Sequence, residues 1–138
     1  MNELLQEFHY AHPMTLVKIN NIFNTSFYGS QLWDLFSNEA IRLEKTWNVS
    51  QRRILRIPRN THRFFIEPLT ETRHIHIALQ KRFINFTSKI MESKKDTLRK
   101  MMLLVKEDCR STTGKNLRYI LLRTGSASIN ELDWNRLE

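Results

Sequence analysis

The chain has 138 residues, with 22 Lys and Arg against 14 Asp and Glu, a formal charge of +8. That length suits one small domain with a real core and is too short for a multi-domain enzyme. At 41% hydrophobic and 26% charged residues the composition excludes a disordered chain, and the single Cys109 excludes an intrachain disulfide framework or a Cys-rich zinc site.

Gly and Pro number 3 each, where average usage gives about 16 together. So few turn formers favour helices with short connections over a β domain with many tight turns. The longest apolar run, Met101 to Val105, is far too short to span a membrane. The first residues carry acids where a signal peptide needs bases, so an intracellular place, cytoplasmic or nuclear, is expected. The expected fold is all-α, a single-domain bundle of about five or six helices. Residues 1–13 form a short N-terminal segment, 14–125 the helical domain and 126–138 a loosely held tail.

In chain order, Asn2 to Ala11 is short and amphipathic, and the His12-Pro13 step ends it. From Met14 to Tyr28, Leu16, Ile19, Ile22, Phe23 and Phe27 recur three and four apart, which predicts a helix closed by Gly29. The next helix has the strongest pattern. Ser37 is its N-cap, Glu39 favours the positive end of the helix dipole, and Pro58 stops the run. Ala40, Leu43, Trp47, Ser50, Ile54 and Ile57 share an arc of about 100°. Arg42, Lys45, Val49, Arg52, Arg53 and Arg56 occupy the opposite arc.

Thr61 is the next N-cap, for a short helix broken near Pro68. His74 to Glu92 predicts a longer helix with two apolar stripes, Ile75, Leu79, Phe83, Phe86, Ile90 and then Ile77, Ile84, Met91, so it should be contacted from both sides. Arg82 falls inside the first stripe and must snorkel or find a carboxylate. Asp96 caps a helix whose Leu98, Met101, Met102, Val105 and Cys109 share a face. Ser111 to Gly114 reads as a turn. Leu117, Ile120 and Leu121 form a last short helix ending at Gly125. The tail has only Ile129, Leu132, Trp134 and Leu137 to bury.

The charge is uneven. Residues 1–41 carry −3, residues 42–110 carry +10 and residues 111–138 carry +1. A basic block of this kind fits a polyanion, an acidic protein or membrane surface, or plain solubility. Catalytic patterns are missing by comparison. Glu107 and Asp108 point about 100° apart on a helix, and His74 and His76 about 200°, poor geometries for a shared metal. There is no Gly-rich phosphate loop and no Ser or Cys nucleophile signature, so no metal, cofactor or catalytic residue is assigned. Trp33 and Trp47 read as packing anchors and Cys109 as a core residue.

Phe27-Tyr28-Gly29-Ser30 followed by Trp33, then Arg52-Arg53-Ile54-Leu55-Arg56-Ile57-Pro58-Arg59-Asn60-Thr61, resemble a known family segment. It is the stretch just C-terminal to the catalytic palm in reverse transcriptases of non-LTR (LINE-type) retrotransposons. Lys81-Arg82-Phe83 resembles a step in its later helices, and Ser111 to Arg118 with Thr124-Gly125 resembles the end of the reading frame in invertebrate elements. The resemblance covers residues 14–125 and implies the thumb and the helices after it, which grip the template–primer duplex. The palm's Ala-Asp-Asp-like carboxylate pair, the endonuclease and the Cys/His knuckle are missing from the sequence. What is implied is therefore a fragment, an eroded copy or a domesticated remnant of an RNA-directed DNA polymerase, not an enzyme by itself.

On that reading Arg42, Lys45, Arg52, Arg53 and Arg56 contact the sugar–phosphate backbone of an RNA or RNA–DNA duplex, with Arg59, Arg63 and Lys81 as outlying members. Two alternatives stay open. One is a helical interaction module whose basic face docks an acidic protein, the other a pseudogene product without function.

Overall fold

The computed structural model describes residues 6–126 except His9, Thr25, Ser26, Thr72, Arg73 and Cys109, and leaves aside the side chains of Phe23 and Asn24. The expectations for residues 1–5, Phe23, Cys109 and the tail beyond 126 lie outside the described residues. Within them the fold is all-α, as expected, with six helices and no strand. The helices are α1 (Pro13–Asn24), α2 (Asn38–Ile54), α3 (Ile66–Thr70), α4 (Ile75–Met91), α5 (Asp96–Glu107) and α6 (Thr112–Thr124). Single 3₁₀ turns lie at Ser30–Leu32 and Arg63–Phe65. The chain divides into two compact units, Met1–Tyr28 with Ile41–Ile75, and Gly29–Ala40 with His76–Glu138.

In the first unit, Leu16, Val17 and Ile54 form a buried cluster, with Ala11 and Leu55 packed against it. Helix α1 ends at Asn24, shorter than the periodicity predicts, and Gly29 does not close it. Gly29, at φ 74°, instead precedes the 3₁₀ turn. Ile22 is 71% exposed, not part of the core. The buried face of α1 runs through Leu16, Val17 and Asn20, and Ile22 lies about 120° or more from each of them.

Helix α2 follows its sequence pattern closely. Ser37 Oγ accepts from the Ala40 N–H at 3.3 Å, Glu39 sits in the first turn, and Ala40, Trp47, Ser50 and Ile54 are buried. Trp47 retains 9% exposure and meets the Phe27 ring at 6.5 Å. Gln51, fully buried, donates through Nε2 to Asn21 Oδ1 at 3.0 Å, a contact the apolar pattern does not announce. The helix ends at Ile54, ahead of Pro58. Arg56 takes φ 54°, the Arg56 N–H donates to Arg53 O at 3.2 Å and the Ile57 N–H to Arg52 O at 3.1 Å. These two bonds define a Schellman ending, with Arg where Gly usually stands.

Two expectations at the next segment are corrected. The cap is His62, whose Nδ1 accepts from the Phe64 N–H at 3.3 Å, and not Thr61. Pro68 does not break α3 but sits within it at the third position, where the N–H it lacks would have had no intrahelical partner. Thr70 Oγ1 donates back to Ile66 O at 2.8 Å.

In the second unit, α4 buries Leu79, Phe83, Ile84, Gln80 and Thr87, and Arg82 is half-buried. Asp96 is the first residue of α5, not its cap; Lys95 takes the cap position with its N–H on Ser93 Oγ at 3.2 Å. The expected buried face of α5 is also corrected. Only Met102 is buried and Val105 half-buried, while Leu98 and Met101 are exposed. Helix α5 packs on α6, and the strip buried there is narrower than the apolar residues of α5 span. Ser111 to Gly114 is not a free turn but the start of α6. Ser111 caps it, its Oγ accepting from the Gly114 N–H at 2.9 Å and donating toward the Val105 and Asp108 carbonyls, each at 3.0 Å. Gly125, at φ 67°, ends α6 as expected. Buried Asn116 on α6 accepts the Leu35 N–H at 3.2 Å and donates to Trp33 O at 2.7 Å, and Phe36 stacks on Tyr119 at 3.8 Å.

Candidate nucleic-acid interface

The charged face of α2 is built by the same periodicity that buries Trp47. At about 100° per residue, Lys45, Val49, Arg42 and Arg53 span about 80°, roughly opposite the buried arc. Arg42, Lys45 and Arg53 are all exposed there. Arg42 and Arg53 are eleven residues apart, about 16 Å along the axis. Neither carboxylate of α2 lies in this arc; Glu39 and Glu44 fall on its flanks. The result is a row of three exposed cations along one face of α2.

The other sequence-derived members divide. Arg52 is half-buried and its Nε donates to the Thr61 carbonyl at 3.0 Å, tying α2 to the turn after it. Arg56 is exposed but stands beyond the helix end, so it leaves the stripe's periodicity. Arg59 is exposed in the turn closed by the Thr61 N–H on Pro58 O at 3.0 Å. Arg63, its side chain 60% exposed, pairs with Glu44 at 3.3 Å. Lys81 belongs to the second unit and is half-buried. The array that the structure gathers is therefore Arg42, Lys45 and Arg53, with Arg56 and Arg59 following in the chain.

Sequence reading missed one polar cluster beside it. Glu44 faces both Arg63 and His74 Nδ1, the latter at 3.5 Å, and His74 Nε2 meets Glu67. His74 therefore bridges α2 to α3. No sequence spacing signals this, because Glu44 and His74 are thirty residues apart. Among the described residues no group of His, Cys, Asp and Glu could hold a metal ion, and no helix is long and apolar enough to cross a membrane.

No known family model, curated protein or solved structure matches the chain.

Proposed function

We propose that the protein binds the sugar–phosphate backbone of an RNA or RNA–DNA duplex, as a thumb-like fragment of a non-LTR retrotransposon reverse transcriptase that is non-catalytic alone. The observation that carries this reading is the exposed array Arg42, Lys45 and Arg53, along one face of α2 with no carboxylate in its arc. Exposed cations along a convex helix face suit a polyanion's phosphates and read no base sequence. The family phrases quoted above support the origin, and the +10 block over residues 42–110 supports the partner. Such a partner is met in the cytoplasm or nucleus.

Fluorescence anisotropy with a labelled RNA–DNA duplex tests the reading. With three to five phosphates neutralised, log K falls against log salt at a slope of roughly −3 to −4.5. Replacing Arg42, Lys45 and Arg53 together with Gln removes about 2 to 3 of that slope, equally for unrelated sequences. Displacement of the duplex by polyglutamate at matched charge would favour docking of an acidic protein instead. With primed RNA template, Mg²⁺ and deoxynucleotides the chain adds no nucleotide, and template-dependent extension would overturn the non-catalytic reading.

A further inference from the structure

His12 caps α1 with both its backbone and its ring. Its carbonyl accepts from the Thr15 and Leu16 N–H groups at 2.9 and 3.2 Å, and its Nδ1 accepts from the Met14 N–H at 3.3 Å. With Nδ1 fixed as the acceptor, Nε2 is the nitrogen that carries the ring N–H. His12 borders a cavity of about 390 Å³, lined also by Tyr10, Arg53 and Arg56, with Leu16 and Ile54 among its walls. Leu16 and Ile54 belong to the buried cluster of the first unit, so the cavity stands on packed material. Among the described residues no carboxylate lines it. Both arginines come from the end of α2, Arg53 on its last turn and Arg56 the left-handed residue that follows.

We propose that this cavity binds the terminal phosphate of a nucleic-acid strand, a phosphomonoester, an inference that rests on the backbone-binding reading and adds an end-recognition site to it. An internal phosphodiester carries one charge and has a sugar on each side, so it suits the convex array on α2. A terminal phosphate carries close to two charges and has one free side, so it can enter a concavity. Two guanidinium forks and a ring N–H supply donors of matching sign, and arginine forks bind phosphate in a bidentate manner. Concave walls focus the field of these charges on whatever enters. Tyr10, 87% exposed, offers a ring on which the terminal base can stack. The left-handed φ of Arg56 fits the same picture: glycine would be easier there, and only a side chain can reach into the cavity.

The experiment compares three otherwise identical blunt duplexes, ending in 5′-hydroxyl, 5′-phosphate or 3′-phosphate, with the full chain by anisotropy. One phosphorylated duplex should bind about tenfold more tightly than the hydroxyl-ended one, and the arm that gains identifies which strand end is held. Arg56→Gly should erase that gain while melting no lower than the parent, because glycine accepts the backbone angle. Arg42→Gln should weaken all three duplexes alike. Equal binding of the three duplexes, or a gain that survives Arg56→Gly, overturns the end-recognition site and leaves the backbone reading standing. The converse is distinguishable too. If the hydroxyl-ended duplex does not bind, yet a nucleoside monophosphate shifts amide resonances around His12 and Arg56 in the parent and not in Arg56→Gly, the cavity stands and the backbone reading falls.

Discussion

The Arg52 Nε donates to the Thr61 carbonyl at 3.0 Å, across the turn that follows α2. Arg53, next in sequence, is exposed and has no such engagement among the described residues. Neighbouring arginines that look equivalent on a helical wheel are thus expected to fail in different ways. Arg52→Gln leaves the half-buried Thr61 carbonyl without its donor and should cost about 1–2 kcal/mol in denaturant unfolding, with a modest effect on duplex affinity. Arg53→Gln should leave stability within about 0.5 kcal/mol and reduce the salt slope by about 1. Equal stability of the two variants would mean the Arg52 contact contributes nothing.

Trp47→Ala should cost about 3–5 kcal/mol, since nearly the whole indole is buried and the Phe27 ring loses its neighbour. A loss under about 1 kcal/mol in the same unfolding measurement would show that α2 is not packed through this residue.

Gly114 lies in the first turn of α6, where the chain passes close to the end of α5. A Cβ there would collide with the Asp108 carbonyl and come within 2.8 Å of the Val105 carbonyl. Both are backbone atoms, so neither can swing aside as a flexible side chain would. Gly114→Ala should therefore destabilise by about 1–3 kcal/mol despite the better helix propensity of alanine. An increase in melting temperature would show that the α5–α6 connection is looser than its hydrogen bonds imply.

Gln80 is almost fully buried on α4, and among the described residues neither its Oε1 nor its Nε2 has a hydrogen-bond partner. An unsatisfied buried amide is costly, and methionine has nearly its shape without the polar atoms. Gln80→Met should stabilise by about 1–3 kcal/mol, read as a higher denaturation midpoint at unchanged slope. A destabilised variant would show that the amide is solvated or paired.

What the sequence reveals depends on how local the cause is. Ser37, Trp47 and Gly125 act within a turn or two of their own helix, so capping rules and the 3.6-residue period find them. The break expected near Pro68 fails for a physical reason: proline ends a helix from its interior but is accepted in a first turn, and only the position of His62 and the 3₁₀ turn decides which applies. For the interface, the exposed Arg42, Lys45 and Arg53 are legible from periodicity alone. The diversion of Arg52 to Thr61, and the draw of Arg63 toward Glu44, depend on where a later turn comes to rest. The exposure of Leu98 and Met101 likewise depends on which side of α5 its neighbours cover, which its own pattern cannot state.

The bond between Leu35 and Asn116 links residues 81 positions apart, and the segment between them includes Ile41–Ile75 of the other unit. On the ribosome, the partners of Ile41–Ile75 within its unit have all been synthesised once Ile75 is made. The Trp33–Leu35 segment must wait for Asn116, roughly 4–16 s later than its own synthesis at the usual elongation rates. During that interval Leu35, buried in the finished fold, has no amide of Asn116 to receive its N–H. The nascent chain thus carries an open apolar segment in its first third until α6 emerges, and stalled synthesis before α6 would leave a product able to complete one unit and not the other.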